Sequence, residues 1–411
     1  MISVDQAKRI IEKCIPSGRT QKIPFDQTLG RILAVDVIAP FPQPRFDNSA
    51  MDGYAVKWVD IQSASRDHPI TLESVGVIPA GEPLASIIQS GQCVQIMTGG
   101  KIPEGADAVV KVEDTNGFDT NQVLFYQSSA LGQHIRKTGD ELPKGEFLCK
   151  QGTVISVAEI GIFATFGMNE VEVFRQPRVA VFGLGDELIE PGQPIEDGKI
   201  FNSNLHVLKV LLQQSGAKIS FSSLLKDDPA EIETFLRQAL NESDIILSSG
   251  GISMGRFDYT KDIFEKLGII EHFWKVAQKP GKPLFFGTLN EKMIFGLPGN
   301  PVSTIIGFYE YVYPVLLKMA GRTSGLKVKV PLVGDFPVER DKHRFLFGTC
   351  YLSNGRLVCG ATNRIGSHML TSFLNSNCII DVPPSENMIL EGDQVDVSFL
   401  PHCKLEDLNS E

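Results

Sequence analysis

The feature that most constrains the fold is a regular alternation of short apolar runs and helix-periodic segments between residues 177 and 319. The apolar runs predict strands at 178–182, 218–222, 244–248, 284–286 and 293–295. The periodic segments predict helices at 203–214, 229–240, 260–267 and 301–319. Ser203 is expected to cap the first of these helices. Such alternation is typical of a mostly parallel sheet that helices cover on both faces. We therefore predict a three-layer α/β/α domain here.

The rest of the chain has a different character. Pro and Gly recur every few residues from 41 to 143, between short β-branched runs, and alternating runs after Gly321 predict another small β domain. Because the segments flanking the first β-rich unit share a mixed character, we interpret that unit as an insertion. The predicted domains are a mixed N-terminal domain at 1–45 and 144–176, an inserted β-rich domain at 46–143, the α/β domain at 177–322 and a C-terminal β domain at 323–411.

The N-terminal segment carries a helix signal of its own. Ser3 and Gln6 have the spacing of a capping box, and apolar residues then recur at helical intervals up to Cys14. We predict a short amphipathic helix after Ser3.

The charge balance excludes several classes of partner. The chain has 39 Lys and Arg residues against 49 Asp and Glu residues, and its net charge of −10 disfavours nucleic acid and anionic membranes, which attract basic proteins. No apolar stretch reaches the 18 residues of a membrane span and the first residues do not resemble a signal peptide, so we expect a cytoplasmic protein. The 7 Cys and 7 His residues lack metal-binding spacing, which disfavours a zinc or iron site.

Three loops rich in glycine and polar residues follow predicted strands, at the edge where open α/β sheets bind ligands. They are 182–188, 248–255 and 296–303. In the second loop, Gly250 and Gly251 let backbone N–H groups approach an anion, and Ser253 adds a hydroxyl donor. In the third loop, Asn300 and Pro301 begin a helix whose free N–H groups also favour anions. A tight structural turn and simple helix capping are the alternative interpretations of these loops.

A basic segment lies near these loops. No acidic residue occurs between His272 and Asn290, a stretch that contains Lys275, Lys279 and Lys282. Spaced ammonium groups held by prolines bind oxyanions or polyphosphates, and a solvated charged surface is the alternative. The neighbouring glycine loops make us favour the anion clamp.

Carboxylates occur in matching loops. Glu187, Asp228 and Asp258 each follow or flank a predicted strand. Carboxylates beside a phosphate site usually hold Mg²⁺, a hard cation that bridges protein and phosphate oxygens. Asp228 also suits the N-cap position before Pro229. We expect Asp258 to be a metal ligand or an acid/base group.

Six ordered motifs resemble one family, the molybdopterin molybdenumtransferases, or MoeA family, to which the gephyrin E domain is related. The resemblance spans essentially the whole chain. The motifs are FDNSAMDGYAV (46–56), MTGG and PEGADAVV (97–110), GDEL (185–188), SSGGISMGRFDYT (248–260), KPGKP (279–283) and GLPGNPVS (296–303).

The resemblance implies an activity and an assembly. Members of this family insert molybdenum from molybdate into adenylylated molybdopterin, cleaving the pyrophosphate and releasing AMP with Mg²⁺ bound. Their subunit is elongated, has four domains and is usually a homodimer, in which the α/β domain of one chain and the inserted β domain of the other share the active cleft. Other proteins of molybdenum cofactor biosynthesis are expected among the partners.

The resemblance also implies roles for individual residues. Asp52 and Thr98 would reach the cleft from the inserted domain, and Ser367 from the C-terminal domain. The expected catalytic residues are Asp52, Asp258, Lys275, Lys279 and Lys282, and the expected metal ligands are Glu187, Asp228 and Asp258. The expected substrate-binding residues are Thr98, Gly250, Gly251, Ser253, Pro298, Gly299, Asn300, Pro301, Ser303 and Ser367.

Four positions depart from the usual pattern of the family. Gly183–Leu184 replaces a Ser–Thr pair, Asp140–Glu141 inverts a Glu–Asp pair, Asn202 replaces an Asp, and Phe347 stands where an Arg is frequent. An adenylyltransferase of the same pathway, or a catalytically weak binding scaffold of the same fold, are the alternative functions.

Overall fold

The computed structural model of the chain describes residues 1–79, 81, 87–251, 257–322, 325, 327–336, 339–386, 388–401 and 403, without the side chains of 257–261. The chain divides into two compact units, one formed by Met1–Lys22 with Glu172–Glu411 and the other by Ile23–Val171. The second unit encloses the segment predicted as an insertion together with its flanks; the finer division into four domains stays a prediction. Among the described residues, no helix is long and apolar enough to cross a bilayer.

The helices and strands are numbered in chain order. The helices are α1 (Val4–Cys14), α2 (Trp58–Ile61), α3 (Val157–Thr165), α4 (Asn204–Gln214), α5 (Pro229–Glu242), α6 (Phe257–Leu267), α7 (Pro301–Gly307) and α8 (Tyr313–Met319). A π-helical turn, Phe308–Val312, joins α7 to α8, and short 3-10 turns lie at Phe25–Gln27, Val112–Asp114 and Leu370–Ser372. The strands are β1 (Thr20–Pro24), β2 (Val37–Ile38), β3 (Asn48–Ser49), β4 (Gly53–Val56), β5 (Ile70–Ile78), β6 (Gln92–Ile96), β7 (Ala108–Lys111), β8 (Gln122–Phe125), β9 (Ile135–Arg136), β10 (Phe147–Cys149), β11 (Glu170–Phe174), β12 (Arg178–Leu184), β13 (Leu188–Ile189), β14 (Ile200–Phe201), β15 (Lys218–Leu225), β16 (Ile245–Ser249), β17 (Ile270–Lys275), β18 (Gln278–Lys279), β19 (Pro283–Leu289), β20 (Lys292–Leu297), β21 (Val328–Val333), β22 (His343–Ser353), β23 (Arg356–Ala361), β24 (Cys378–Val382) and β25 (Gln394–Phe399).

The predicted α/β domain contains a six-stranded sheet in the order β15-β12-β16-β20-β19-β17. The first four strands run parallel, and β19 and β17 are antiparallel to their neighbours. This confirms a mostly parallel sheet. β19 and β20 run antiparallel because only a short turn at Asn290 connects them, whereas parallel strands need a much longer crossover connection.

Helices cover both faces of this sheet. Side chains alternate along β12, so Val179 and Val181 pack with α4 and α7 while Ala180 and Phe182 pack with α5 and α6 on the other face. These four side chains are almost fully buried. Burial on both sides explains why the strands appear as continuous apolar runs in the sequence.

Helix caps confirm some predictions and correct one. Ser3 and Gln6 form the predicted capping box, with the Gln6 N–H donating to Ser3 Oγ at 3.2 Å and the Ser3 N–H donating to Gln6 Oε1 at 3.0 Å. Asp228 caps α5 as predicted, since its Oδ1 accepts from the Ala230 N–H at 2.9 Å. The predicted Ser203 cap of α4 is wrong: Ser203 makes no side-chain capping bond, and Asn202 Oδ1 accepts from the Leu205 N–H instead.

The C-terminal segment forms the second predicted β domain. Its sheet has the order β18-β22-β23-β21-β25-β24, and β22 also pairs with β24, so that the five strands from β22 to β24 form a closed ring with β18 outside it. The first strand, β18, belongs to the basic segment of the α/β region. Gln278 pairs with His343 and Lys279 with Arg344, so this sheet draws the lysine segment toward β22.

A buried carboxylate in this sheet leads to a prediction about acid stability. The Asp381 side chain is only 9% exposed and bonds to Lys327 and His343. Burial opposes ionisation of Asp381, but the hydrogen bond and charge of His343, followed by those of Lys327, outweigh it and lower the pKa of Asp381 to about 2. Because this pKa lies below that of the unfolded chain, the contribution is present above about pH 4 and is lost as the pH falls toward about 2.

We expect Asp381→Asn to lower the free energy of unfolding by about 2 kcal/mol at neutral pH, measured by urea unfolding. The matched control is Asp396→Asn, because Asp396 forms an exposed ion pair with Lys329 at 3.3 Å and its loss is expected to cost less than about 1 kcal/mol. If wild type and Asp381→Asn lost the same stability between about pH 4 and pH 2, the role assigned to Asp381 would be wrong.

Candidate functional site

A cavity of about 1060 Å³ lies beyond the carboxyl ends of β12, β16 and β20. This is the edge of an α/β sheet at which ligands bind. The sequence-predicted site residues that line it are Glu187, Gly250, Gly251, Lys279, Lys282, Pro298, Gly299, Asn300, Pro301, Ser303 and Ser367. Residues from the three predicted loops, from the basic segment and from the C-terminal domain therefore meet in one pocket.

The glycine loop after β16 adopts a backbone that only glycine tolerates well. Gly250 and Gly251 have φ angles of +88° and +75°. A Cβ at Gly250 would lie 2.5 Å from the carbonyl oxygen of Leu184, and a Cβ at Gly251 would lie 2.2 Å from the side chain of Leu184. The Gly250 N–H donates to the Leu297 carbonyl at 3.1 Å, so the loop is anchored to the end of β20. Both the positive φ angles and the close approach require glycine here.

Asn204, which the sequence analysis missed, ties two of the loops together. Its Nδ2 donates to Ser249 Oγ at 2.9 Å and to the Gly299 carbonyl at 2.7 Å. One amide thus holds the ends of the β16 and β20 loops beside each other. Asn204 is the first residue of a helix and follows a polar loop, a position that predicts helix capping. That position does not predict a bridge between distant loops.

Asn300 stands at the start of α7, as predicted, but its side chain bonds outside the helix. It occupies the N-cap position of α7 but makes no side-chain capping bond. Its Nδ2 donates to Ser367 Oγ at 3.0 Å, and the Val302 N–H donates to the Ser367 carbonyl at 3.1 Å. Ser303 is buried, and its Cβ lies 3.6 Å from where a Cβ on Gly281 would stand. The structure therefore joins Asn300 to Ser367 directly, and Ser303 lines the same pocket.

The three lysines of the predicted clamp separate into two groups. Lys279 and Lys282 are exposed and line the pocket, whereas Lys275 lies in β17 and is not among the lining residues. Lys279 also has a counter-ion: its Nζ lies 2.5 Å from Glu339 Oε1. Lys342, another lining residue, lies 3.1 Å from the second oxygen of Glu339.

Glu339 and Lys342 lie outside the acid-free stretch around the lysines, so the local charge pattern of that stretch gives no sign of them. Glu339 is 60 residues away from Lys279 in the chain. The hydrogen bond from Lys279, followed by that from Lys342, lowers the pKa of Glu339 against the opposing effect of burial. Glu339 is therefore ionised beside these two lining lysines, although it is not itself among the residues that line the pocket.

A buried glutamine shapes the lysine loop. The Gln278 side chain is 1% exposed, and its Nε2 donates to the carbonyls of Pro280 at 3.2 Å and Gly281 at 3.0 Å. The hydroxyl of Tyr311, in the π-helical turn, donates to Gln278 Oε1. These bonds fix the backbone between Lys279 and Lys282, so the two ammonium groups extend from an ordered loop.

The carboxylates expected to bind metal lie in different settings. Glu187 lines the pocket, and its carboxylate fills the space over Gly185, within 2.8 Å of where a Cβ would stand. Asp228 caps α5. Asp258 belongs to α6, but its side chain, like the whole of Ser253, lies outside the described residues. In the described part of the chain no three His, Cys, Asp or Glu side chains are grouped as metal ligands.

The unit Ile23–Val171 has a polar site of its own beside the sheet β7-β4-β6-β5-β8. Asp52 Oδ1 accepts hydrogen bonds from the Thr98 N–H and the Thr98 hydroxyl, each at 2.7 Å. These bonds lower the pKa of Asp52. Asp47 similarly accepts from the N–H of Thr138 at 2.8 Å. The loop that contains Asp47 and Asp52 thus contacts the loops of Thr98 and Thr138. Asp52 and Thr98, which were predicted as site residues, contact each other directly.

The four departures from the family pattern are accommodated within the fold. Leu184 lines the pocket, and Gly183 lies beside Asn202 with 3.6 Å between the Asn202 amide oxygen and the place of a Cβ. Phe347 is buried against Phe373, with 4.9 Å between the ring centroids. Asp140 accepts from the Lys137 N–H in a local turn.

Comparison with known proteins supports one family. Family models match in order along the chain: the MoeA N-terminal region (domain I and II) at 2–167, the probable molybdopterin binding domain at 180–318 and the MoeA C-terminal region (domain IV) at 329–400. The molybdopterin molybdenumtransferase of Haemophilus influenzae is 34% identical over 98% of this chain and 99% of its own length. The chain belongs to the molybdopterin molybdenumtransferase family. The relative of the same name from Bacillus subtilis is 32% identical over 97% of this chain and 94% of its own length.

Solved structures agree with the MoeA fold. A MoeA protein from Pyrococcus horikoshii superposes with a TM-score of 0.83 at 29% identity, over 97% of this chain and 99% of that one. A second structure of a MoeA protein from that organism gives a TM-score of 0.72 at 28% identity, over 97% and 100% of the two chains. The probable molybdopterin binding domain contains the glycine loop, Lys279, Lys282 and Asn300. The MoeA C-terminal region contains Ser367.

Proposed function

We propose that this chain inserts molybdenum from molybdate into molybdopterin, as a transferase of molybdenum cofactor biosynthesis. The observation that carries the proposal is the single pocket in which the glycine loop, Lys279 and Lys282 meet Ser367 of the C-terminal domain. The relatives that match nearly the whole chain are named for this transfer. A pocket with cations and hydroxyl groups suits a substrate with phosphate groups, and its cations suit molybdate, which is an oxyanion.

The finer proposal is that the substrate is adenylylated molybdopterin and that AMP leaves. At about 1060 Å³ the pocket is at the upper end of the range for small-molecule sites and has room for a pterin joined to a nucleotide. Cleavage of a pyrophosphate requires stabilisation of the charge that develops on its oxygens. In this proposal Lys279 and Lys282 provide it, and their position in the pocket lining supports that role.

Magnesium fits the donor chemistry of this site. The candidate ligands offer only carboxylate oxygens, which Mg²⁺ prefers, and Glu187 already presents its carboxylate to the pocket. Asp228 and Asp258 would complete the set, with Asp228 using the oxygen that does not cap α5. When bound, the ion would neutralise phosphate oxygens. The residues of the chain would hold the ion beside the lysines and orient the substrate between them.

Homodimerisation belongs to the proposal as well. Asp52 and Thr98 already form a hydrogen-bonded pair in the unit Ile23–Val171. We propose that this pair completes the active site of a partner chain, as the family resemblance implies. A cytoplasmic location and further partners from cofactor biosynthesis stay predictions.

The test is turnover of adenylylated molybdopterin by the purified full-length protein. We expect AMP release that depends on molybdate, stops when EDTA removes the metal and returns when Mg²⁺ is added in excess. Formation of adenylylated molybdopterin from ATP would instead identify an adenylyltransferase. A stable peptide complex without any turnover would identify a scaffold, and either of these two results would refute the proposal.

A further inference from the structure

One carboxylate beside the pocket contacts the ammonium groups of two lining lysines at once. Glu339 Oε1 lies 2.5 Å from Lys279 Nζ, and Glu339 Oε2 lies 3.1 Å from Lys342 Nζ. Both lysines line the cavity, and all three side chains keep solvent contact, with exposed fractions of 54% for Lys279, 33% for Lys342 and 23% for Glu339. The two ammonium groups therefore border the volume that a ligand would occupy, and Glu339 contacts them without lining the cavity itself.

Backbone pairing, rather than side-chain flexibility, brings the two lysines together. Gln278 and Lys279 in β18 pair in parallel with His343 and Arg344 in β22, and the His343 N–H donates to the Ala277 carbonyl at 2.9 Å. Lys342 immediately precedes β22, so it emerges beside Lys279. The buried Gln278 side chain hydrogen-bonds to the backbone of the same loop. The spacing of the two cations is thus a property of the fold.

We propose that Lys342 is a further anion-binding residue of the pocket and that Glu339 is an internal counter-ion whose place an oxyanion takes when it binds. This inference rests on the proposed function, because it concerns the same pocket. The ligand class is a tetrahedral oxyanion, either molybdate or a phosphate group of the pterin substrate.

The chemistry of Lys279 and Lys342 supports the exchange of Glu339 for an oxyanion. Two ammonium groups that each donate to a different oxygen of one carboxylate can donate in the same way to two oxygens of a tetrahedral dianion. Ion pairs that remain partly exposed are weak, so a dianion that also contacts Lys282 competes successfully with Glu339. Glu339 in turn offsets the repulsion between the two ammonium groups while the pocket is empty, whereas Gln278 and the pairing of β18 with β22 hold the loop itself.

The exchange predicts that substitutions of Lys342 and of Glu339 change the anion affinity in opposite directions. Removing Lys342 takes away a donor and weakens anion binding. Removing only the charge of Glu339 abolishes the competitor and strengthens binding. A merely structural ion pair would behave differently, because either substitution would loosen the loop and weaken binding.

The experiment is a calorimetric titration of the full-length protein with sodium molybdate and, in a second arm, with inorganic phosphate, at constant ionic strength and without pterin. We expect Lys342→Ala to raise the Kd for the preferred anion about tenfold and Lys342→Arg to retain most of the affinity. We expect Glu339→Gln to lower the Kd about fivefold. The matched controls are Lys329→Ala and Asp396→Asn, an exposed pair in the same β domain, and neither should change the Kd. Whichever anion shows these shifts identifies the ligand group.

Three results would overturn the inference: unchanged affinity in Lys342→Ala, weakened affinity in Glu339→Gln, or no saturable binding of either anion by the wild-type protein. The isosteric Glu339→Gln variant keeps the test valid if Lys342→Ala folds poorly. Failure here is distinct from failure of the proposed function, which is judged by molybdate-dependent AMP release. Normal turnover with no response in either variant refutes this inference alone. Anion binding as expected without turnover refutes the transferase and leaves the anion site intact.

Discussion

Lys282→Ala is expected to reduce molybdate-dependent AMP release by about 100-fold or more, the effect typical of removing one group that stabilises developing charge. Lys282 is exposed in the pocket wall, at the end of the loop that Gln278 orders. In the proposed reaction its ammonium group meets phosphate or molybdate oxygens, and the charge on the phosphates grows as the pyrophosphate breaks. The rate is measured as AMP formed per enzyme at saturating molybdate and Mg²⁺.

The control separates loss of a catalytic charge from loss of any surface lysine. Lys218 is exposed at the amino end of β15, the end of the sheet away from the pocket. Lys218→Ala should therefore keep the wild-type rate. Since Lys282 is exposed, the thermal midpoint of Lys282→Ala should also match that of the wild type, which shows that the fold is retained. Normal turnover by Lys282→Ala would remove Lys282 from the proposed active site.

Gly250→Ala is expected to destabilise the protein by about 2–5 kcal/mol and to abolish anion binding in the pocket. Two costs add up: a non-glycine residue in a left-handed conformation costs about 1–2 kcal/mol, and a steric clash in a packed region costs about 1–3 kcal/mol. The new Cβ would stand 2.5 Å from the Leu184 carbonyl oxygen, a backbone atom that cannot rotate away. Urea unfolding measures the stability, and molybdate titration measures the binding.

Gly192→Ala isolates the conformational cost. Gly192 also has a positive φ, +95°, but a Cβ there would have no neighbour within 4 Å. This variant should lose only about 1 kcal/mol and should bind anions normally. Equal destabilisation by the two substitutions would show that the contact with Leu184 is unimportant, and the account of the glycine loop would then be incorrect.

The sequence was a good guide to the fold because the relevant signals are local. The apolar runs of β12 and β16 and the Asp228–Pro229 start of α5 each depend on residues within a few positions of one another. Those signals also predicted the ligand-binding edge, since polar loops at the ends of parallel strands must lie close together. Prediction failed at Ser203, where a neighbouring residue, Asn202, supplies the bond that was assigned to it.

The site was only partly predictable for a related reason. The glycine loop and Lys282 could be recognised from composition and from the family resemblance. The contacts that join the loops could not, because Asn204 bonds to Gly299 and Asn300 bonds to Ser367 across long stretches of chain. Those two amides have obvious local roles at helix starts, and nothing in the surrounding sequence indicates that they serve distant partners.

By itself, the sequence determined the α/β/α architecture, the positions of the loops and the family. It did so because strand and helix periodicity, and the need for glycine where φ is positive, are short-range properties of the chain. Only the tertiary structure decided which groups face each other: that Lys279 is paired with Glu339, that Lys342 joins them and that Lys275 is not among the lining residues of the pocket. The physical reason is that electrostatic interactions depend on distance in space, and the pairing of β18 with β22 brings together charges that are 60 residues apart in the chain.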